Sequence, residues 1–168
     1  MQFTPPSSWV ARYASLIPLP GPVLDLAAGS GRHTRYFKGL GYNVVAVDRD
    51  VSRLADAQAV IIEADLEGGR WPFEKSVFAG IVVTNYLHRP LFPQIAASLL
   101  PGGVLIYETF ALGNERFGKP SNPDFLLQPG ELLDFAEAEG LCVQAYACGE
   151  VAEPRSAVLQ RIVAARAA

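Results

Sequence analysis

The chain has 168 residues, of which half are hydrophobic and 18 % charged, with a formal net charge of −3 at neutral pH. A chain of this length suits one domain that buries about 70 % of its unfolded surface. No apolar run approaches the roughly 18 residues of a membrane span, the N-terminus lacks the basic and apolar regions of an export signal, and no global positive field attracts nucleic acid. We therefore expect a cytoplasmic protein, residues 1–168 forming one domain, with neither a membrane nor a nucleic acid as partner. Its oligomeric state is not legible.

In chain order, residues 1–20 read as an N-terminal helical segment, because Trp9, Tyr13 and Leu16 between Ser8 and Leu19 have helical spacing. Val23–Ala27 reads as a buried strand, Arg32–Gly39 as a helix and Asn43–Val47 as a second strand. Val51–Gln58 is expected to form a short helix, Ala59–Glu63 and Ala79–Thr84 strands, and Leu91–Leu100 a helix. Pro101-Gly102-Gly103 separates that helix from a strand at Gly103–Glu108. A helix at Pro129–Glu139 follows, then strands at Leu141–Ala147 and Ala157–Ala165, joined by a turn over Gly149–Pro154.

Apolar strands that alternate with helical crossovers imply an α/β, doubly wound, mostly parallel sheet of about seven strands, with an antiparallel C-terminal hairpin. Ligands of such sheets sit at the C-terminal strand ends. Cys142 and Cys148 lie six residues apart in one expected strand, about 20 Å by strand rise and too far for a disulfide. They read as buried apolar fillers, and no metal site is expected.

The stretch Val23-Leu24-Asp25-Leu26-Ala27-Ala28-Gly29-Ser30-Gly31 is a strand that runs through a glycine turn into a helix. Backbone amides there can approach a ligand closely. Thr34 occupies the third position of a dinucleotide fingerprint, where close helix packing asks for glycine or alanine, and the lysine of a phosphate loop is missing. Asp48 ends the next strand 17 residues beyond Gly31, where a carboxylate can accept two ribose hydroxyls.

VLDLAAGSGRHTRYF followed by GYNVVAVDRD resembles the first two motifs of the class I S-adenosylmethionine-dependent methyltransferases, and Gly-Arg-His is similar to the tellurite-resistance group within them. The resemblance implies a Rossmann-like methyltransferase fold, S-adenosyl-L-methionine as cofactor and an unidentified small-molecule acceptor. It implies that Asp25, Gly29 and Gly31 shape the cofactor loop, that Asp48 meets the ribose, that its neighbour Arg49 also contacts the cofactor, and that Asp65 and Leu66 meet the adenine. Ala27 stands where the family has glycine; a strongly positive φ there costs about 1 kcal/mol or more. Trp71-Pro72-Phe73 is expected to pack as core over the adenine loop.

The fourth strand ends Thr84-Asn85-Tyr86-Leu87-His88. It lacks the Pro-Pro-aromatic continuation of amide- and adenine-methylating members. Asn85 is a candidate catalytic residue, and Asn85 and Tyr86 are both expected beside cofactor or acceptor. His88 has two readings, a general base or a loop histidine bonded to backbone. Glu108, at the end of the fifth strand, is either catalytic or a buried carboxylate tied to Arg116. The connection after it, residues 109–128, reads as a substrate-side loop because of its unusual length. Three alternatives stay open: a nicotinamide-dependent oxidoreductase, a catalytically silent cofactor-binding module, and RNA methylation served by Arg32, Arg35, Lys38 and Arg49.

Overall fold

The computed structural model describes residues 3–168. Seven strands form one sheet in the order β3-β2-β1-β4-β5-β7-β6. They are β1 (Val23–Leu26), β2 (Val44–Asp48), β3 (Val60–Glu63), β4 (Phe78–Thr84), β5 (Leu99–Phe110), β6 (Leu141–Val151) and β7 (Ala157–Arg166). The first five pair in parallel, whereas β7 lies antiparallel between β5 and β6. Strand order reverses between β1 and β4, so loops after these two strands diverge to opposite sides and leave a crevice.

Both faces of the sheet are covered, which is why every residue of β1 is buried. On one face lie α1 (Ser8–Tyr13) and α2 (Arg32–Gly39), whose Trp9, Val10 and Phe37 pack on Val23, Val82 and Ile106. Tyr42 clasps the N-terminal segment to α2: its hydroxyl donates to the carbonyls of Ala14 and Ile17 at 3.1 and 2.8 Å. On the other face lie α3 (Phe92–Ser98) and α4 (Glu131–Ala138), which meet through stacked Phe92 and Phe135 rings 4.3 Å apart. Trp71 and Phe73 pack on this core as expected, with the indole donating to Ser98 Oγ at 3.1 Å.

Several local expectations need correction. Val51–Gln58 forms turns, not a helix: Asp50 Oδ1 accepts from Ser52 N, and the bonds Leu54 N to Val51 O and Ala57 N to Leu54 O close single turns. The Asp50 side chain competes for the backbone amide that a first helical turn would leave free, and the turns are held by buried Leu54 and Ala57. The helix expected over Leu91–Leu100 is shorter: a 3₁₀ turn at Arg89–Leu91 precedes α3, and β5 begins at Leu99 and runs through Pro101-Gly102-Gly103 with a register shift. The last helix begins at Glu131, after Gly130 in the left-handed region. Cys142 and Cys148 are exposed thiols and not core fillers, because β6 is the edge strand.

Candidate functional site

A cavity of about 430 Å³ opens at the C-terminal ends of β1 to β4, within the range of small-molecule sites. Each of those strands contributes through the residues that follow it. Ala27 comes from the end of β1, and Asp48 and Arg49 from the end of β2. Ala64, Asp65, Leu66 and Glu67 follow β3, and Asn85 and Tyr86 follow β4. Phe125, from the long connection after β5, borders the opening.

The glycine turn is bent by left-handed φ values at alternate residues: 55° at Ala27, 56° at Gly29 and 80° at Gly31. Ala27 thus adopts the glycine conformation without being glycine. The turn is tied to β2 by two bonds, Ala28 N to Val47 O at 3.0 Å and Gly29 N to Asp48 Oδ2 at 2.8 Å. Asp48 Oδ1 accepts from Asp50 N at 3.0 Å, so the carboxylate is fixed by two amides while each oxygen keeps a free lone pair. A Cβ on Gly31 would meet Leu54 at 2.6 Å, whereas one on Gly29 would enter open space.

Asp25, Gly29 and Gly31 shape the cavity from behind and are not on its wall. Asp25 is buried and accepts from Thr34 Oγ1 at 2.6 Å, and burial pushes its carboxyl up to about 6. Thr34, the residue that departs from the dinucleotide fingerprint, is therefore the partner of the β1 carboxylate. Asp65 Oδ1 accepts from the amides of Glu67 and Gly68 at 3.0 and 3.1 Å, which holds its carboxyl below the usual range. Tyr86 is fixed from both ends: its carbonyl accepts from Tyr107 OH at 2.7 Å, and its hydroxyl lies 3.4 Å from Glu67 Oε1. Burial, with Glu67 beside it, raises the Tyr86 phenol.

His88 lines neither this cavity nor the second one described below; its Nδ1 is 3.8 Å from Glu67 Oε1. Glu108 is not tied to Arg116, which pairs with Glu150 across two exposed side chains at 2.6 Å. The 109–128 connection is pinned along its length. Leu112 N and Leu127 N bond across its ends at 3.0 Å each, buried Asn114 accepts from Val158 N at 3.0 Å, and Arg89 donates to the carbonyls of Asp124 and Leu126 at 2.9 Å. Of that connection, only Phe125 reaches the cavity wall.

Four residues at or near the site were not expected there from the sequence, Ala64 among them. Glu67 adds a third carboxylate to the wall; it lies within the segment Glu63 to Glu67 whose Asp65 and Leu66 stood out. Phe125 is one of three aromatic residues in the long connection, with Phe110 and Phe117, and nothing local distinguishes it. His33 is buried between the N-terminal segment and the end of β4, where its Nε2 accepts from Ser7 N at 3.0 Å and its Nδ1 faces Thr84 Oγ1 at 3.4 Å. The amide fixes the tautomer, placing the proton on Nδ1, and burial pushes the ring down to about 3.

The wall chemistry discriminates between ligands. Asp48, Asp65 and Glu67 oppose one cation, Arg49, and the Gly29 amide already serves Asp48. A diphosphate would meet carboxylates where it needs donors. A ligand with hydroxyl donors and a positive charge meets acceptors, with Ala27, Ala64, Leu66, Tyr86 and Phe125 for its apolar parts. S-adenosylmethionine has this character.

Residues 2–70 match the family model described as tellurite resistance protein TehB. No curated protein matches the chain. Among solved structures, a methyltransferase from Methanosarcina mazei is 14 % identical, with 98 % of this chain and 99 % of that one covered and a TM-score of 0.75. The 1,6-didemethyltoxoflavin-N1-methyltransferase of Burkholderia thailandensis, solved with its substrate and S-adenosylhomocysteine, is 20 % identical, covering 95 % of this chain and 76 % of that one at a TM-score of 0.68. TehB from Haemophilus influenzae is 20 % identical, covering 94 % of this chain and 61 % of that one at a TM-score of 0.72. The chain has the fold of the class I S-adenosylmethionine-dependent methyltransferases, and its residues 2–70 carry a sequence match to the TehB family.

Proposed function

We propose that this chain is an S-adenosylmethionine-dependent methyltransferase whose acceptor is a small molecule. The observation that carries the reading is the cavity beside the glycine turn, walled by Asp48, Asp65 and Glu67 against Arg49 alone. When bound, S-adenosylmethionine supplies a methyl carbon on a positively charged sulfur. The free lone pairs of Asp48 accept the ribose hydroxyls, with Arg49 alongside; Asp65 and Leu66 hold the adenine; Asn85 and Tyr86 face the reacting end. Asp25, through Thr34, and Gly29 and Gly31 keep the turn in shape. Phe125 brings the 109–128 connection over the opening and helps exclude water, which strengthens polar contacts within. The B. thailandensis relative, with its bound S-adenosylhomocysteine, supports the cofactor assignment.

A nicotinamide cofactor is disfavoured by the three carboxylates. RNA methylation is disfavoured because the basic patch is broken up: Arg35 pairs with Asp56 and bonds the carbonyls of Ser30 and Arg53. Among the described residues no helix is long and apolar enough to cross a membrane, and two exposed free thiols suit a reducing cytoplasm.

A thermal-shift titration tests the cofactor. Ligand at 100 times its dissociation constant stabilises the folded state by about 2.7 kcal/mol, so S-adenosylmethionine and S-adenosylhomocysteine should raise the Tm while NAD does not. Asp48→Asn keeps an acceptor for Gly29 N but loses charge and one acceptor toward the ribose; we expect about tenfold weaker binding. A response to NAD alone, or an unchanged affinity in Asp48→Asn, would defeat the assignment.

A further inference from the structure

A second cavity, of about 410 Å³, lies between the N-terminal segment and the end of the β6–β7 hairpin. Asn85 lines both cavities, so the two meet at the exit of β4. Glu108 forms part of the second wall. It is 7 % exposed, and among the described residues no hydrogen bond or ion pair engages its carboxylate. The antiparallel register sets Arg161 of β7 directly opposite Glu108 of β5, which places both side chains on one sheet face. Arg161 also lines the cavity; its Nε is buried without a partner, and its guanidinium lies 5.1 Å from the Trp9 ring centre. Arg155 enters from the hairpin turn, 5.7 Å over the ring of Phe110.

A buried donor without a partner is costly, the more so on a charged group, and Arg161 Nε is such a donor. A carboxylate and a guanidinium with unused hydrogen-bonding atoms on one wall are complementary to a ligand that brings both a donor and an anion. Phe110, Leu159 and Pro5 add apolar surface for its body.

Resting on the methyltransferase reading above, we propose that the second cavity holds the methyl acceptor. The acceptor is an organic acid with an apolar body, its anionic group held by Arg161 and Arg155 and its hydroxyl or amine nucleophile facing Glu108. A lone pair of that nucleophile forms the new bond to the methyl carbon as the carbon–sulfur bond breaks. The electrons of the broken bond neutralise the sulfonium charge. The nucleophile's proton passes to the Glu108 carboxylate and from there to water. Glu108 is thus a catalytic residue, while Arg161 and Arg155 select the substrate.

The test is calorimetric titration of protein saturated with S-adenosylhomocysteine. The probes are 4-hydroxybenzoate, 4-hydroxyphenylacetate and 4-aminobenzoate, each beside its uncharged amide, and tellurite. We expect at least one acid to bind about tenfold tighter than its amide, and Arg161→Gln to erase the difference. Glu108→Gln should retain the preference for the acid and slow its methylation about 100-fold, most strongly for the least acidic nucleophile. Acids that bind no better than their amides, a preference that survives Arg161→Gln, or tellurite turnover unchanged by Glu108→Gln would each overturn the proposal. Binding of S-adenosylhomocysteine, measured first in the same samples, separates the two readings. Its loss counts against the cofactor site, whereas its retention with equal acid and amide affinities defeats the acceptor proposal alone.

Discussion

Ala27 carries a backbone conformation that its side chain disfavours. At φ 55° an L-residue other than glycine is disfavoured by roughly 1–2 kcal/mol, and the turn persists because Ala28 N and Gly29 N are both anchored on β2. Ala27→Gly relieves the strain but adds chain entropy to the unfolded state, worth about 0.5–1 kcal/mol. We expect it to raise stability by up to about 1 kcal/mol in urea unfolding, with Ala27→Val lowering it. A clear loss of stability in the glycine variant would show that the left-handed conformation is not strained.

At the scale of elements, α4 illustrates capping from a distance. It starts after Gly130 without a local side-chain cap, and the missing partner comes from β7. Gln160, fully buried, accepts from Leu132 N at 2.7 Å and donates to Gln128 O at 2.9 Å. Gln160→Met fills similar volume but strands one amide and one carbonyl, so we expect about 2–4 kcal/mol of destabilisation, read from the urea midpoint. An effect below about 0.5 kcal/mol, the size of an ordinary surface change, would mean that water replaces the side chain. The same strand carries Arg161 to Glu108, so β7 both anchors α4 and furnishes the proposed acceptor wall.

For the whole molecule, two buried groups set opposing pH dependences. His33 takes up a proton near its ordinary 6.5 when unfolded but only at about 3 when folded, so its contribution is full above 6.5 and is lost as pH falls toward 3. Asp25 acts in reverse. The folded chain keeps that proton up to about 6 and the unfolded one releases it near 3.8, so its contribution is full below 3.8 and is lost as pH rises to 6. Between about 4 and 6 the two offset each other. Asp25→Asn should therefore make stability rise with pH across that window, and His33→Gln should make it fall, each by on the order of a few kcal/mol. Parallel profiles for both variants and the wild type would refute the burial argument.

Much of the architecture was legible in the sequence. Buried runs of β-branched residues, separated by helical stretches, define a parallel sheet, and α2 begins and ends at the expected Arg32 and Gly39. Ala27, Asp48, Arg49, Asp65, Leu66, Asn85 and Tyr86 lie on one cavity because each follows a strand, and parallel strands gather such residues at one edge by geometry alone. The sequence by itself thus determined the sheet, the succession of its elements along the chain and the edge at which the cavity opens, all products of local periodicity and chain connectivity. Only the tertiary structure decided that Val51–Gln58 is irregular, that Thr34 partners Asp25, that the cysteines lie on an exposed edge strand, and that Glu108 faces Arg161 and not Arg116. The first two outcomes rest on individual side-chain hydrogen bonds that only the folded geometry selects, and the last two on the antiparallel register of strands far apart in the chain, which no local pattern encodes.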